Sequence, residues 1–394
     1  VKFELLPGYD DGMTSPYTRH FQSKEDLNLG ADRLLLLVVL LLYSVGLVQV
    51  YSSSFILAED KLGDGLYFLR RQALFTVASV AVLFGTVFFT ARRIWRWGYV
   101  LWPISIGLMV CTFVPGLGHS AGGAARWISL PGGFKFEPSE LLKVAFAVWV
   151  ATLFDNEHPV TKKLSWWMKP LSVVLPMLLL LPQPDFGSFA IISISLLTIL
   201  FVAEMRWTYV VSLLLTGGTA LFALVWMVPY RRARLMSFLD PWRDLSKGGF
   251  QVVQSLLGFH AGGLTGVGIG EGQAKLFFLP EAHTDFTLSV LAEETGWIGL
   301  TVLLLLYLTL IFKGFGLVVR QQTTFGRVLL TGLMSVFSLQ VLVNFSVALG
   351  MLPTKGLTLP FLSYGGSSLV AVGLTFGLIL GVGGQSTSPS ETVG

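Results

Sequence analysis

The sequence predicts an all-α integral membrane protein, a bundle of about ten transmembrane helices with one large extracytoplasmic loop. Three observations predict it. Hydrophobic residues make up 53% of the 394 residues and charged residues only 13%, with a mean hydropathy of +0.70, outside the range of a soluble globular chain. The apolar residues gather into long runs separated by short charged or Gly-rich stretches. Basic residues punctuate those runs instead of forming one stripe, which argues against nucleic-acid binding despite a pI near 9.1.

Residues 1–33 are polar and mixed in charge, unlike a secretory leader, and read as a cytoplasmic tail. Ten apolar runs follow, at about 34–54, 72–91, 98–115, 138–154, 168–183, 186–204, 207–229, 285–312, 328–350 and 364–384, in one domain spanning 34–384. The runs around Leu141–Phe154 and Pro170–Leu181 are shorter than the ~20 residues of a perpendicular span, so they require tilt or burial within the bundle. Residues 385–394 form a second cytoplasmic tail. Arg92, Arg93 and Arg96 join the second and third runs, Lys162, Lys163 and Lys169 the fourth and fifth, and Lys313, Arg320 and Arg327 follow later. Basic short loops face the cytoplasm. Both termini then lie inside, and the loop from Tyr230 to Thr284, about fifty-five residues, lies outside. The single cysteine, Cys111, has no partner for an internal disulfide and no metal-site neighbours in sequence.

With this topology three polar segments converge on the outer face: Gly118 to Lys143, the long loop, and Gly350 to Ser368. The first is too Gly-rich for regular helix until Pro138 starts one. In the second, "FQVVQSLLGF" keeps helical periodicity and predicts a short amphipathic helix on the membrane surface. "GVGIGEG" follows a helical pattern and no strand, so it reads as a flexible turn and not as a nucleotide-binding loop.

The charged residues each admit a structural and a functional role. Glu140 and Lys143 are three apart on one helix face and read as a structural ion pair. Glu293 and Glu294, roughly 12 Å along the helix from Asp285 at about 1.5 Å per residue, are expected well inside the hydrocarbon, as a polar knot or a proton or substrate path. Arg231 and Arg232 suit lipid headgroups and substrate equally. Asp285, before an apolar run, is placed for helix capping and for catalysis alike.

The segments "RWI", "EPSELLK", "PQPDFG", "LDPW", "QSLLGF", "LPEAHTDF", "AEETG" and "GMLPTKGLTLPFLSYGGSS", in this order and over most of the chain, resemble the SEDS family of bacterial cell-wall polymerases (shape, elongation, division and sporulation), and "LPEAHTDF" and "MLPTKGLTLPF" resemble its FtsW division branch. "FEPSE" departs from the family pattern, in which Gln often precedes the Pro. The resemblance implies a ten-span peptidoglycan glycosyltransferase that polymerises lipid II at the outer face of the bacterial cytoplasmic membrane, at the division septum. It also implies a cognate class B penicillin-binding transpeptidase and other divisome membrane proteins as partners. The family's catalytic aspartate falls on Asp285, and its Arg-Trp pair on Arg126 and Trp127.

The chemistry of that reaction needs a carboxylate base for the attacking sugar hydroxyl and cations for the departing diphosphate. Arg126, Lys355, Arg231, Arg232 and Lys275 are the candidate cations. His283 can orient Asp285 or touch the sugar, and Trp127 can stack on a sugar ring or anchor at the interface. No cofactor is required by the sequence, and a divalent cation at the diphosphate is compatible with the chemistry. A flippase for the same lipid-linked precursor and a non-catalytic divisome scaffold are the alternatives. The first draws on Glu293 and Glu294, but the sequence has few other charges for a route across the membrane.

The orientation is checked with a cysteine at His260 in a Cys111→Ser background: an impermeant maleimide is expected to label it in intact cells. Labelling only after permeabilisation reverses the topology.

Overall fold

The structure is a computed structural model that describes residues 33–121, 124–154, 168–205, 207–227, 238, 240–242, 248–278, 282–354 and 356–385. In chain order its elements are α1 (Arg33–Leu62), α2 (Tyr67–Val87), α3 (Ala91–Cys111), β1 (Gly118–Ala121), β2 (Ala124–Leu130), β3 (Phe134–Phe136) and α4 (Pro138–Phe154). After them come α5 (Met168–Leu178), α6 (Phe186–Val202), α7 (Trp207–Trp226), α8 (Gly248–Gly262), a π-helical turn (Ala274–Phe278), α9 (Thr287–Arg320), α10 (Thr324–Ala348) and α11 (Gly366–Gln385). Among the described residues six helices, α1, α2, α3, α9, α10 and α11, are long and apolar enough to cross a membrane, and α5 and α6 are shorter apolar helices.

Local chemistry sets the helix starts. Pro138 opens α4 with Glu140 in its first turn, where a missing N–H is harmless and a negative charge is favoured. Thr90, Asp185 and Thr323 cap α3, α6 and α10 by accepting the N–H of Arg93, Ser188 and Gly326. The helices α4, α10 and α11 form the centre, with Phe146, Leu330, Met334 and Phe376 buried in one continuous core. Close approach of α2 and α11 depends on small residues: a methyl at Gly373, Gly377 or Gly381 would run into Ser79, Thr86 and the carbonyl of Val87. Such stripes let helices pack where apolar burial alone gives no advantage over lipid.

The all-α expectation omits one element. Gly118–Phe136 folds into a three-stranded antiparallel sheet, order β1-β2-β3, with His119 opposite Trp127 and Ile128 opposite Phe136. The stretch lacks helical periodicity, and its β2 is buried only at Ala124 and Ile128 and is exposed at its end. Arg71 of α2 holds the β2–β3 turn by donating to the carbonyls of Gly132 and Gly133, both at 2.9 Å. Its guanidinium lies over the rings of Tyr67 and Phe134.

Helix α9 is 34 residues long, about 51 Å at roughly 1.5 Å per residue, against about 30 Å of hydrocarbon. It is broken at Gly296, whose φ of 66° and ψ of −168° are non-helical. The preceding loop repairs the break. Trp297 and Ile298 donate to the carbonyls of Gly263 and Leu264, and Val267 and Gly268 donate to those of Glu293 and Glu294. The "GVGIGEG" turn, expected to be flexible, is therefore hydrogen-bonded into the helix. The predicted amphipathic helix is present as α8, and it packs on α9, with Gly262 against the Ala292 carbonyl.

The same contacts accommodate Glu293 and Glu294. They precede the break and are covered by the loop. Glu293 accepts the N–H groups of Gln273 and Ala274, both at 2.9 Å. Glu294 is paired with Lys275 at 2.6 Å and accepts the Ser52 hydroxyl of α1. With charges buried, counter-charge and donors are obligatory, and the long loop supplies them.

Gly296→Ala is expected to lower the detergent melting temperature, because the backbone conformation is essentially restricted to Gly, with strain of about 1–3 kcal/mol, and the methyl would meet Gly266 N and Leu264 O. Gly316→Ala on the same helix, with open space around the added carbon, is the control and is expected to gain up to about 1 kcal/mol. Equal melting shifts for the two would contradict this account of the break.

Candidate active site

Four segments meet at one end of the bundle: β2, the Gln183–Asp185 turn before α6, residues 282–286 before α9, and the segment 350–365 between α10 and α11. Polar side chains anchor two of them. Gln340 and Asn344 of α10 donate to the carbonyls of Thr358 and Leu357 at 3.0 and 2.8 Å. Lys143 lies between Glu140 and Gln340, at 2.8 and 2.9 Å, so the α4 ion pair braces the residue that holds the 357–358 segment. Gln183 donates to Thr112 at 2.6 Å, anchoring its turn to the end of α3.

Arg126 on β2 is half-buried and oriented. Its Nε donates to the Gln183 carbonyl at 3.2 Å and its Nη2 to the Pro184 carbonyl. Nη1 points elsewhere. The position where Gly356 would carry a side chain lies 3.4 Å from Arg126 Nη1 and 3.6 Å from Asp285 Oδ2. A guanidinium nitrogen and a carboxylate oxygen thus both approach one bare stretch of backbone, at the place where a side chain on residue 356 would sit.

The loop carrying Asp285 is held from several sides. Tyr364 N–H donates to the His283 carbonyl at 2.9 Å. The His283 ring lies 5.0 Å from Phe68 and 6.0 Å from Tyr364, centroid to centroid, and Ser363 Oγ donates to Thr287 Oγ1 at 3.3 Å. Burial raises the Tyr364 phenol above its ordinary value, with Arg71 opposing. The His283 ring therefore belongs to an aromatic cluster beside Asp285. Trp127, next to Arg126, is half-buried opposite His119 in the sheet.

The structure brings Arg126, Trp127, His283 and Asp285 to this end together. Lys275 is placed otherwise than expected: its ammonium, buried, is engaged by Glu294 and Ser52, because the buried Glu294 requires a counter-charge. Glu293 serves the same knot, and Glu140 and Lys143 sit buried beneath the site. Arg231, Arg232 and Lys355 lie outside the described residues. Sequence reasoning passed over Gly356, Gln340, Asn344 and Arg71. The two amides, four residues apart in the mainly apolar α10, were the available signal. Among the described residues no three His, Cys, Asp or Glu side chains are grouped to hold a metal ion.

A helical bundle with an oriented Arg and an Asp approaching the same place over Gly356 defines a polytopic protein with a polar site at one end. Comparison with known proteins gives the family. The FtsW/RodA/SpoVE family, described as cell cycle protein, matches residues 32–388. The chain is 41% identical over 356 residues to the "Probable peptidoglycan glycosyltransferase FtsW" of Geobacter sulfurreducens, covering 89% of this chain and 94% of that one. It is 36% identical over 354 residues to Stage V sporulation protein E of Bacillus subtilis, covering 89% and 96%. Among solved structures, a chain of a peptidoglycan synthase complex that coordinates polymerization and crosslinking superposes with a TM-score of 0.72 at 32% identity, covering 89% and 96%. The Rod shape determining protein RodA of Thermus thermophilus gives 0.64 at 28%, covering 90% and 97%. The chain belongs to the FtsW/RodA/SpoVE family.

Arg126→Lys keeps the charge but loses the planar fork that grips two carbonyls while presenting a third nitrogen. It is expected to raise the KM for a diphosphate-linked donor at least about tenfold, the scale of one lost charge-assisted hydrogen bond, with the melting temperature near that of the parent. An unchanged KM would make Arg126 a purely structural clamp.

Proposed function

We infer that Asp285 is the general base of a peptidoglycan glycosyltransferase of the division type, polymerising lipid II into glycan strands. The observation that carries the reading is the approach of Arg126 Nη1 and Asp285 Oδ2 to one place over Gly356. In the reaction the acceptor sugar hydroxyl gives its proton to Asp285 as its oxygen attacks the anomeric carbon of the donor. The lipid diphosphate leaves from the opposite face, and the α-linkage becomes β. A diphosphate is a good leaving group, so a fixed cation serves it better than a second acid. Arg126 is that cation, and its clamp on the 183–184 carbonyls holds it in place before substrate arrives. Lys355, Arg231 and Arg232 are proposed as additional charge for the diphosphate, and Trp127 and His283 as contacts for the sugars. A divalent ion at the diphosphate is compatible with this scheme.

The reaction calls for the site to face the outside of the cytoplasmic membrane, with ten spans, both termini inside and the 230–284 loop outside. The peptidoglycan synthase complex that the fold matches joins polymerization to crosslinking. We extend this to a class B penicillin-binding transpeptidase as partner here, with further divisome proteins at the septum. The flippase reading loses its main support, since Glu293 and Glu294 are engaged in holding the loop.

The N-cap of α9 is Phe286, with no side-chain cap hydrogen bond, so Asp285 is not the helix cap that its place before an apolar run suggested, and Asp285→Asn tests the catalytic role directly. Asn keeps the size and polarity of Asp, and loss of the charge–dipole interaction near the helix start costs only about 0.3–1 kcal/mol, whereas removing a general base costs typically ~10² to 10⁴ in rate. The purified variant, reconstituted with its transpeptidase and lipid II, is expected to remain assembled and make essentially no polymer. Near-normal polymer, with contaminating polymerases blocked, would reject Asp285 as the general base.

A further inference from the structure

A ring of contacts runs from Arg126 through the start of α6 and returns to Gly356. Arg126 holds the carbonyls of Gln183 and Pro184, and Asp185, next in the chain, caps α6 by accepting the Ser188 N–H at 3.1 Å. Gly187, in the first turn of α6, is buried and lies directly on Leu357. A methyl at Gly187 would stand 2.8 Å from Leu357 Cδ1 and Cγ and 3.0 Å from Cδ2. The Leu357 carbonyl is held by Asn344 of α10 at 2.8 Å. The residue before it is Gly356, which Arg126 Nη1 and Asp285 Oδ2 approach.

Leu357 has little freedom to yield. It is 4% exposed and packs with Ile191 of α6 and Val336 of α10, with Leu339 and Val343 alongside. Its side chain is thus enclosed by the helix whose start follows the Arg126 clamp and the helix whose Asn344 anchors the 357 backbone. Helix propensity alone favours Ala over Gly at position 187, so the bare Cα there is explained by the close approach to Leu357. Ordinary contact lies at 3.4–4 Å, so an added methyl would push the two apart by about half an ångström. Both ends of the displaced path are hydrogen-bonded backbone, and the shift is passed on to Arg126 or to Gly356.

We propose that Gly187 and Leu357 are positioning residues of the active site: their contact sets the distance between the turn that grips Arg126 and the backbone that Arg126 and Asp285 approach, and so fixes the cation relative to the base. Both are apolar and act through other residues, Gly187 through the 183–184 carbonyls on Arg126 and Leu357 through its own backbone on Gly356. Such placement bears on rate more than on stability, because a shift of about 1 Å in the reacting groups can cost about 10²-fold.

The proposal rests on the polymerase reading, and two measurements separate their failures. The first needs no turnover: binding of undecaprenyl diphosphate, the leaving group of that reaction, to the full-length protein in detergent, with the melting temperature of each variant recorded. Gly187→Ala is expected to weaken binding about tenfold, the scale of one impaired charge-assisted hydrogen bond. Adding Leu357→Ala, which removes all three atoms that the methyl would meet, is expected to bring binding back to within about threefold of the parent. In an Arg126→Lys background, where the grip on the two carbonyls is already lost, Gly187→Ala is expected to add less than about twofold. Parent-like binding by Gly187→Ala, no recovery in the double variant, or an equal fold-loss in both Arg126 backgrounds overturns the proposal, the last being what lowered stability alone would give. The second measurement is polymer formation from lipid II by the protein with its transpeptidase, in which Gly187→Ala is expected to lose about 10²-fold and the double variant to recover most of that. The expected binding pattern in a protein that makes no polymer would uphold the positioning role and reject the polymerase reading instead. Polymer made equally by the parent and Gly187→Ala would reject the positioning role alone.

Discussion

Everything at the functional end depends on how α9 is interrupted. A helix broken in its interior leaves donors and acceptors that must be satisfied inside the protein. Here the Gly263–Gly268 strand of loop takes up two donors and two acceptors around Gly296. The side chains on either side repeat the link, with Glu293 on the loop backbone and Glu294 on Lys275 and Ser52. Loop, α9 and α1 thereby become one unit, and Asp285, two residues ahead of α9, takes its position from that unit.

A second level of support comes from the buried amides and the α4 ion pair. Glu140, Lys143 and Gln340 form a chain that ends on the carbonyl of Thr358, and Asn344 holds Leu357. Gly356 adjoins these two anchored residues, so Arg126 and Asp285 approach backbone that cannot easily shift. Charges too costly to bury singly are tolerated because each is fully engaged. The arrangement favours geometry over net stability, as a catalytic site requires.

Much of this was legible in the sequence, and the rest was not for identifiable reasons. Apolar runs fixed the helices because composition over ~20 residues is a strong signal. Asp285 stood out as an acid just before an apolar run, and the family resemblance added Arg126 and Trp127. The sheet was missed because short strands with few apolar positions carry little periodicity. Lys275 was misjudged because a cation in a loop looks available until its burial beside Glu294 is seen. Gly356 could not be found at all from sequence, since its importance is that two residues distant in the chain approach it.

The splice at Gly296 also bears on the order in which the chain assembles. Residues 263–268 and 293–298 are close in sequence, so their contact closes a short loop and can form early, as soon as α9 emerges. Ser52 must be waiting on α1, already inserted, for Lys275 and Glu294 to be neutralised. The meeting over Gly356 needs β2, the 282–286 turn and the last loop together, so it forms only after α10 is in place. Biogenesis therefore ends with the catalytic end: an unfinished or truncated chain carries a well-formed loop and an incomplete centre, and is silent until its last helices are inserted.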